Sequence, residues 1–150
     1  MVNCSGAAAR SLAADPSVVP SCGQHVVVEN PGLTEFYMEV TGSSAELVGV
    51  YPHGDRVVLG GTATGQPRLD PVAARGIIAR CARVFPELAT ATVLGHAVGV
   101  RPLRPTVRLA ASRLESKRWC VHNYGHGGAG VTLSWGCAVE AAELVESRRG

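Results

Sequence analysis

The stretch VHNYGHGGAGVTLSWGCA, residues Val121–Ala138, decides the fold of the C-terminal part of the chain. The β-branched and aromatic residues from Trp119 to Tyr124 predict a strand, and the glycines that follow them predict a turn. Apolar residues at helical spacing then predict a helix from Leu133 to Arg148. The apolar stripe of this helix consists of Val139, Ala142, Leu144 and Val145.

The glycine-rich turn before this helix is a candidate binding site. The first amides of a helix have no partner inside it and lie at the positive end of its dipole, so they favour an anion or an electron-rich carbonyl oxygen. An ordinary turn before a helix explains the same glycines without any ligand. The two histidines of the stretch, His122 and His126, would be about 13 Å apart on a strand. That distance is too long for them to share an ion, and we expect no metal site.

The segment Arg101–Arg108 contains two prolines that restrict its backbone. Proline fixes its own φ and pushes the preceding residue towards extended geometry. The segment is therefore predicted to be extended, but neither a central strand nor a helix. A rigidly mounted guanidinium suits a bidentate grip on a carboxylate. For Arg104 and Arg108 we predict a solvated or structurally paired side chain instead, while these residues alone leave Arg101 open.

The rest of the chain predicts an α+β fold with a mixed or antiparallel sheet in the middle. Asp70 followed by Pro71 starts a helix, because Asp caps the free amides and Pro at the first position loses no hydrogen bond. Alternation of Phe36, Met38 and Val40 predicts a strand with that face half-buried. The predicted elements are a strand end at Met1–Cys4, a short alanine-rich helix, strands Gly23–Asn30, Glu35–Thr41 and Ala91–Val100, a β-hairpin of Leu47–Tyr51 and Arg56–Leu59, and the helix Pro71–Phe85.

Composition excludes several functional classes. The 150 residues, 46% hydrophobic and 17% charged, are typical of one globular domain with a sizeable core. A formal charge of +2 with dispersed arginines argues against a nucleic-acid partner. No apolar run approaches the roughly 20 residues of a membrane span, and no secretory signal precedes the first strand. The five irregularly spaced cysteines are interpreted as reduced thiols of a cytoplasmic protein.

Several longer motifs occur in a fixed order along the chain. They are VNCSG (Val2–Gly6), GQ (Gly23–Gln24), LGGT (Leu59–Thr62), VRPLRPTVRL (Val100–Leu109), HNYGHGGAGVT (His122–Thr132) and WGCA (Trp135–Ala138). Together they resemble the C-terminal half of the D-amino-acid oxidase family, whose members are FAD-dependent flavoproteins. The resemblance extends over nearly the whole chain.

The resemblance implies a joint site for substrate and flavin. Arg101 would grip the substrate α-carboxylate, and the carbonyl of Gly128 would accept from the substrate amine. Amides near Val131 and Thr132 would face the flavin edge where negative charge develops on reduction. The implied flavin-contacting residues are Ser5, Arg101, Gly127, Gly128, Gly130, Val131 and Thr132.

The implied reaction is the oxidative deamination of D-amino acids. A hydride passes from the substrate Cα to FAD, the imino acid hydrolyses to a 2-oxo acid and ammonia, and O2 reoxidises FAD with release of hydrogen peroxide. Orientation of a neutral amine supplies most of the effect, so the resemblance implies no side-chain acid or base. D-aspartate oxidase is a sister alternative, and the preferred D-amino acid and the oligomeric state are left open.

Two positions depart from the family pattern. The family places a substrate tyrosine in Y-I-I-P, where this chain has Gly49-Val50-Tyr51-Pro52. Tyr51 lies two residues further on and on the same strand face, so it either substitutes as a substrate-binding residue or only packs. Cys22 replaces an arginine of the family's G-R-G-Q, which removes a structural contact.

A dinucleotide-binding G-x-G-x-x-G motif is not found near the start of the chain. Gly125–Gly130 satisfies the pattern, but it belongs to the oxidase signature. We therefore expect residues 1–20 to end an incomplete FAD-binding α/β domain, 21–115 to form the substrate domain, and 116–150 to return to the FAD-binding domain. The dinucleotide-binding half would be missing, so the isolated chain would be colourless and inactive. A non-catalytic remnant is the alternative, and the last residues lack a peroxisomal S-K-L address.

Overall fold

The fold is α+β, as the sequence predicts. A computed structural model describes residues 1–40, 46–64 and 66–148. The strands are β1 (Val2–Asn3), β2 (Val19–Glu29), β3 (Tyr37–Val40), β4 (Glu46–His53), β5 (Arg56–Thr64), β6 (Val93–Arg113) and β7 (Trp119–His126). The α-helices are α1 (Ala9–Leu12), α2 (Pro71–Ala82) and α3 (Gly130–Glu146), with short 3-10 turns at Gly6–Ala8 and Pro86–Ala89. None of the described helices is long and apolar enough to cross a membrane.

The chain divides into two compact units. The first unit contains Met1–Ser21 and the described residues from Arg101 onward, and the second contains Cys22–Val100. In the first unit β7 lies between β1, which pairs with it in parallel, and β6, which pairs with it antiparallel. In the second unit the strands follow the order β2-β5-β4-β3, and all neighbours are antiparallel. The functional domain boundaries expected from the resemblance stay a prediction.

The core of the second unit forms between one face of its strands and α2. Alternate residues of each strand point to one face, so the β-branched residues at these positions come together. The buried cluster consists of Val26, Val28, Val48, Val50, Val57, Leu59, Ala74, Ile77, Cys81 and Leu88. Helix α2 begins as predicted, because the Asp70 side chain accepts hydrogen bonds from the amides of Val72 and Ala73.

The first unit has a small apolar cluster of Ala9, Val18 and Tyr124, all fully buried. Helix α3 lies against β7, but Ala141 is its one buried side chain among the described residues. The predicted stripe of α3 is therefore wrong in part, since Val139 is 49% exposed and Ala142 is also exposed. Helical spacing identifies which residues share a face, but not whether the chain itself covers that face.

Several predicted boundaries differ from the structure. Helix α2 ends at Ala82 rather than Phe85, because Phe85 precedes Pro86 and takes an extended conformation. Helix α3 begins at Gly130, three residues earlier than predicted. The predicted extent of the third strand to Thr41 lies outside the described residues.

Two predictions about strands are wrong. Strand β6 continues through both prolines. Its pairing with β7 shifts register between Leu103 and Arg108, and this shift accommodates the missing amide of Pro105. In β3 the buried face is the opposite one from that predicted. Phe36 and Met38 are 74% and 55% exposed, whereas Tyr37 packs against the core. A period of two indicates which residues share a face without indicating which face is buried.

Candidate functional site

Three segments of the first unit meet beside the glycine-rich turn. The amide of Gly127 donates to the carbonyl of Pro102 at 2.9 Å, which joins the turn to β6. A Cβ atom added at Gly6 would lie 4.0 Å from the ring of Pro102, so the Ser5–Gly6 turn after β1 approaches the same place. The predicted site residues of this unit, Ser5, Arg101, Gly127, Gly128, Gly130, Val131 and Thr132, lie on these three segments.

Two glycines of the turn are required by the protein's own conformation. Gly125 and Gly127 have φ values of +86° and +57°, in the left-handed region that favours glycine. A Cβ atom at Gly125 would lie 2.8 Å from the Cβ of Arg104, and one at Gly127 would lie 3.0 Å from Leu103 Cδ2. The glycine content of the turn is therefore explained in part without a ligand, which is the plain alternative that the sequence left open.

Arg101 lies along this turn with its charged group free. A Cβ atom added at Gly128 would be 3.6 Å from both Cδ and Nε of Arg101, so the two residues are neighbours. The guanidinium makes no hydrogen bond or ion pair with any residue in the described ranges 1–40, 46–64 and 66–148. Partly buried charged groups without a partner are uncommon, because the free-energy cost of removing a charge from water must be offset by hydrogen bonds or an opposite charge.

The two other arginines of the segment are paired, as predicted for them. Arg104 Nε donates to Asp15 Oδ2 at 3.0 Å, and Arg108 Nη1 donates to the same oxygen at 3.3 Å. Tyr124 Oη also donates to Asp15 Oδ2, at 2.9 Å. Burial alone would raise the pKa of Asp15, but the hydrogen bonds from Tyr124, the Ser17 amide and Arg104 lower it to about 2. Asp15 is therefore a carboxylate throughout the physiological range.

His122 is held in one orientation by two polar neighbours. The side-chain oxygen of Asn3 accepts from the Ser5 amide, so its NH2 group faces His122 Nδ1 at 3.3 Å. The imidazole proton then lies on Nε2 and is donated to Ser112 Oγ at 2.8 Å. Burial and the nearby Arg108 guanidinium lower the pKa of His122. Because this tautomer cannot accept the serine proton, the pair is structural rather than a nucleophile and its base.

The start of α3 offers unpaired amides on the same turn. Ala129 precedes the helix without a side-chain cap, and the first helical hydrogen bond joins the Leu133 amide to the Ala129 carbonyl. The amides of Gly130, Val131 and Thr132 therefore have no acceptor within the helix. Val131 itself is 90% exposed, so the described residues leave its side chain almost uncovered.

These groups fit the flavin that the sequence resemblance implies. Ser5 Oγ is buried and has no hydrogen-bond partner among the described residues, and such an orphaned hydroxyl calls for one. The uncapped amides of α3 and the free guanidinium of Arg101 add positive potential on the same turn. An electron-rich ring edge and a carboxylate are the chemical groups that this set of donors favours.

Tyr51 lies in the second unit, away in sequence from the other predicted site residues. Its ring folds back over Gly49, where a Cβ atom would be 2.7 Å from both Cε2 and Oη of the tyrosine. It also approaches Gly60, the cross-strand partner of Gly49, at 3.5 Å from a Cβ position. Burial and the nearby Cys81 raise the pKa of Tyr51, so the phenol keeps its proton. The structure therefore places a phenol beside the position where the family pattern has its tyrosine.

Sequence reasoning missed the residues that support the turn. The sequence patterns assign no role to Asp15, and they place Tyr124 only in a predicted strand. The partners of Asp15 are 89 to 109 positions away from it along the chain, so no local pattern could indicate them. The one available signal was the pair of arginines after Arg101, for which a buried carboxylate is the usual partner.

Comparison with known proteins assigns the chain to a family. A family model described as FAD dependent oxidoreductase matches residues 1–144. A D-amino-acid oxidase of Streptomyces coelicolor is 50% identical over 147 residues, which are 96% of this chain and 46% of that protein. A D-aspartate oxidase of Homo sapiens is 40% identical over 151 residues, or 97% of this chain and 43% of that protein. The chain therefore spans less than half the length of these relatives.

A solved structure shares the fold. The crystal structure of a glycine oxidase from Geobacillus kaustophilus superposes with a TM-score of 0.79, at 23% identity, over 99% of this chain and 42% of that protein. The agreement confirms the architecture that the sequence predicts. At this identity it says nothing further about the ligands of the present chain.

Proposed function

The chain belongs to the family of FAD-dependent oxidoreductases, and we propose that it carries the substrate-carboxylate grip and part of the flavin site of a D-amino-acid oxidase. The reaction is the oxidative deamination of a D-amino acid to an imino acid, which water converts to a 2-oxo acid and ammonia. The chain performs it together with the part of the protein that its relatives have and that these 150 residues do not cover.

One observation carries the proposal. Of the three arginines in the proline-rich segment, Arg104 and Arg108 share Asp15, whereas the guanidinium of Arg101, beside Gly128, pairs with no residue in the part of the chain that the structure describes. A guanidinium binds a carboxylate through two parallel hydrogen bonds, so a free one held between a proline and a glycine turn selects a carboxylate ligand. The carbonyl of the neighbouring Gly128, on the glycine-rich turn, offers an acceptor for a substrate amine.

The residues around the turn would hold FAD and orient the substrate. When bound, FAD supplies the oxidising chemistry by which a hydride leaves the substrate Cα and O2 is reduced to hydrogen peroxide. The amides of Gly130, Val131 and Thr132 would stabilise negative charge that develops during the reaction, because they are already oriented and need no reorganisation. Ser5 would donate or accept the hydrogen bond that its buried hydroxyl lacks.

Tyr51 would supply the phenol that position 49 lacks. Its hydroxyl lies over Gly49, and its raised pKa keeps it protonated and able to donate to a carboxylate. Replacement of Gly49 by any larger residue would displace this ring. The glycine and the tyrosine are therefore proposed to act as a pair, in which the missing side chain at one position makes room for the phenol from the other.

The remaining part of the enzyme is proposed to cover α3 and β1. Val131, Trp135 and Val139 follow one another at helical spacing and are 90%, 83% and 49% exposed. Strand β1 lies at the edge of the strands of its unit and pairs in parallel, a geometry that proteins normally cover on both faces. An apolar stripe beside an open parallel edge suits the α/β dinucleotide-binding part of the relatives.

The proposal is tested by supplying that part in trans. The chain is produced together with the portion of the Streptomyces coelicolor relative that the match does not cover, and the complex is tested for bound flavin and for peroxide release from D-alanine and D-aspartate. We expect a yellow complex that oxidises at least one of them, while the chain alone stays colourless. Arg101→Lys, which keeps the charge but loses the bidentate geometry, should raise the KM about tenfold or more. A yellow, active complex whose KM does not depend on Arg101 would refute the assigned role.

A further inference from the structure

A partly buried polar cluster, distinct from the residues assigned to substrate and flavin, connects three distant parts of the first unit. We call it the Asp15 cluster, and it consists of Asp15, Arg104, Arg108 and Tyr124. Asp15 is 5% exposed and follows α1, while its partners lie on β6 and β7. Arg108 Nη1 also donates to Tyr124 Oη at 2.6 Å. The guanidinium carbon of Arg108 lies over the Tyr124 ring, 5.6 Å from its centroid. All four polar side chains are thus engaged with one another.

The Asp15 cluster packs directly against the glycine-rich turn. When Arg104 extends to reach Asp15, its aliphatic stem lies directly on Gly125, where a Cβ atom would be 2.8 to 2.9 Å from Cβ and Cδ of the arginine. Gly125 directly follows Tyr124, the other member of the cluster on this strand. Two residues beyond Arg101, Leu103 covers Gly127 in the same manner. The guanidinium of Arg104 is therefore the anchor of a side chain that holds the turn against β6.

We propose that Asp15 is a positioning residue that fixes Arg101 and the turn at Gly127–Gly128 in their relative placement. This inference rests on the proposed function, which gives Arg101 and the turn a substrate to bind. The relative placement of Arg101 and the turn can be measured in this chain by itself. Asp15 binds both Arg104 and Tyr124. Arg104 follows Arg101 on β6, and Tyr124 precedes the turn at the end of β7. The amide of Gly127 and the carbonyl of Pro102 then meet at 2.9 Å.

Charge explains why a carboxylate is needed at position 15. Without the Asp15 carboxylate, Arg104 keeps its hydrogen bonds to the carbonyl and hydroxyl of Thr106, and Arg108 keeps its bond to Tyr124. The side chains of Arg104 and Arg108 are 20% and 29% exposed, so each can still shift towards water when the carboxylate is lost. Without the carboxylate the two guanidinium groups repel one another, and rotation of Arg104 withdraws its stem from Gly125. The turn then loses the contact between Gly125 and the Arg104 stem, while the rest of β7 keeps its pairing with β1.

Hydrogen exchange of the chain by itself tests this placement. In Asp15→Asn the amide of Gly127 should exchange about tenfold faster or more, because its hydrogen bond to Pro102 opens locally. The amide of Val121, which donates to the Met1 carbonyl at 2.9 Å on the same strand, is the internal comparison and should change much less. Asp55→Asn removes an exposed ion pair of the second unit and should change neither amide.

A milder variant, Tyr124→Phe, tests the same inference in case Asp15→Asn does not fold. Tyr124→Phe keeps the buried ring but removes one hydrogen bond to Asp15 and the acceptor for Arg108. It should accelerate exchange at Gly127 about threefold, again more than at Val121. Equal acceleration of both amides in the two variants would show that the cluster only stabilises the unit. No acceleration at Gly127 would also overturn the inference.

The complemented enzyme supplies a second readout that stability alone would not move. Arg101 would hold the substrate carboxylate in the ground state and in the transition state alike, so its misplacement raises KM more than it lowers kcat. In Asp15→Asn we expect the KM for D-alanine to rise about tenfold, with kcat within about threefold. A fall in kcat at constant KM would contradict the positioning role. If the unaltered complex does not oxidise D-alanine, the proposed function fails, and the exchange experiment still decides the inference.

Discussion

The packing of Tyr51 over Gly49 leads to a prediction whose sign depends on a second residue. The perturbation is Gly49→Ala, alone and combined with Tyr51→Ala. The added Cβ would be 2.7 Å from the tyrosine ring and hydroxyl, whereas carbon atoms pack best at about 3.5–4.0 Å. The ring must move out of a position in which it is half-buried, or the strand must shift.

Two opposing effects determine the expected magnitude. Overpacking of this kind costs about 1–3 kcal/mol. Replacing a glycine inside a strand by alanine returns about 0.5–1 kcal/mol, because the unfolded chain has less freedom to lose. Gly49→Ala alone should therefore lower the free energy of unfolding by about 1–2 kcal/mol. In the Tyr51→Ala background the overpacking against the ring is absent, so the same change should raise the free energy of unfolding by about 0.5–1 kcal/mol.

Urea unfolding of the four proteins followed by far-UV circular dichroism measures this coupling. Gly99 is the matched control, because a Cβ atom there meets nothing within 4 Å and its effect should not depend on Tyr51. The two changes at Gly49 and Tyr51 should couple by about 1–3 kcal/mol. If they add within about 0.5 kcal/mol, the ring does not lie over Gly49 and the reasoning about the pair is wrong.

Other predictions concern the first unit. Gly125→Ala should destabilise the chain by about 2–4 kcal/mol in urea unfolding, because it combines a left-handed φ with contact against Arg104. Gly136→Ala, in an open position on α3, should instead stabilise by up to about 1 kcal/mol, and equal effects would refute the distinction. Because the pKa of Asp15 in the folded state is about 2, below the ordinary value of 3.8, its contribution to stability is present above about pH 4 and is lost as the pH falls towards 2. Asp15→Asn should flatten this acid transition in circular dichroism. The pKa of His122 is likewise lowered, so the unfolded chain binds its proton more readily and stability should fall as the pH drops below the ordinary value of 6.5. His122→Gln should weaken that dependence, and an unchanged pH profile would contradict the assignment.

Sequence patterns predicted the local elements and the glycine-rich turn well. The glycine-rich turn, the capped start of α2 at Asp70 and the hairpin of β4 and β5 each depend on residues close together in the chain. Such features follow from turn chemistry, capping and periodicity alone. The motifs that resemble the oxidase family extended the prediction from local elements to a proposed site, because they identify residues in several separate segments together.

The features that the sequence did not predict depend on long-range packing. Whether Phe36 or Tyr37 faces the core is decided by the partner surface around Phe85, which a period of two does not contain. The continuation of β6 through Pro105 is possible because this proline lies within the register shift between Leu103 and Arg108, where no regular pairing requires its amide. Asp15 could not be identified as a support of the turn, since its partners are brought to it only by the fold.

The spectrum of the complemented protein under anaerobic conditions shows whether Arg101 and the turn at Gly127–Thr132 bind a D-amino acid beside FAD. On mixing with D-alanine, the visible absorbance of the bound flavin should bleach, while L-alanine should leave it unchanged, and Arg101→Gln should need a much higher D-alanine concentration. Bleaching that is equal for both enantiomers, or that is indifferent to the substitution at Arg101, would contradict the account.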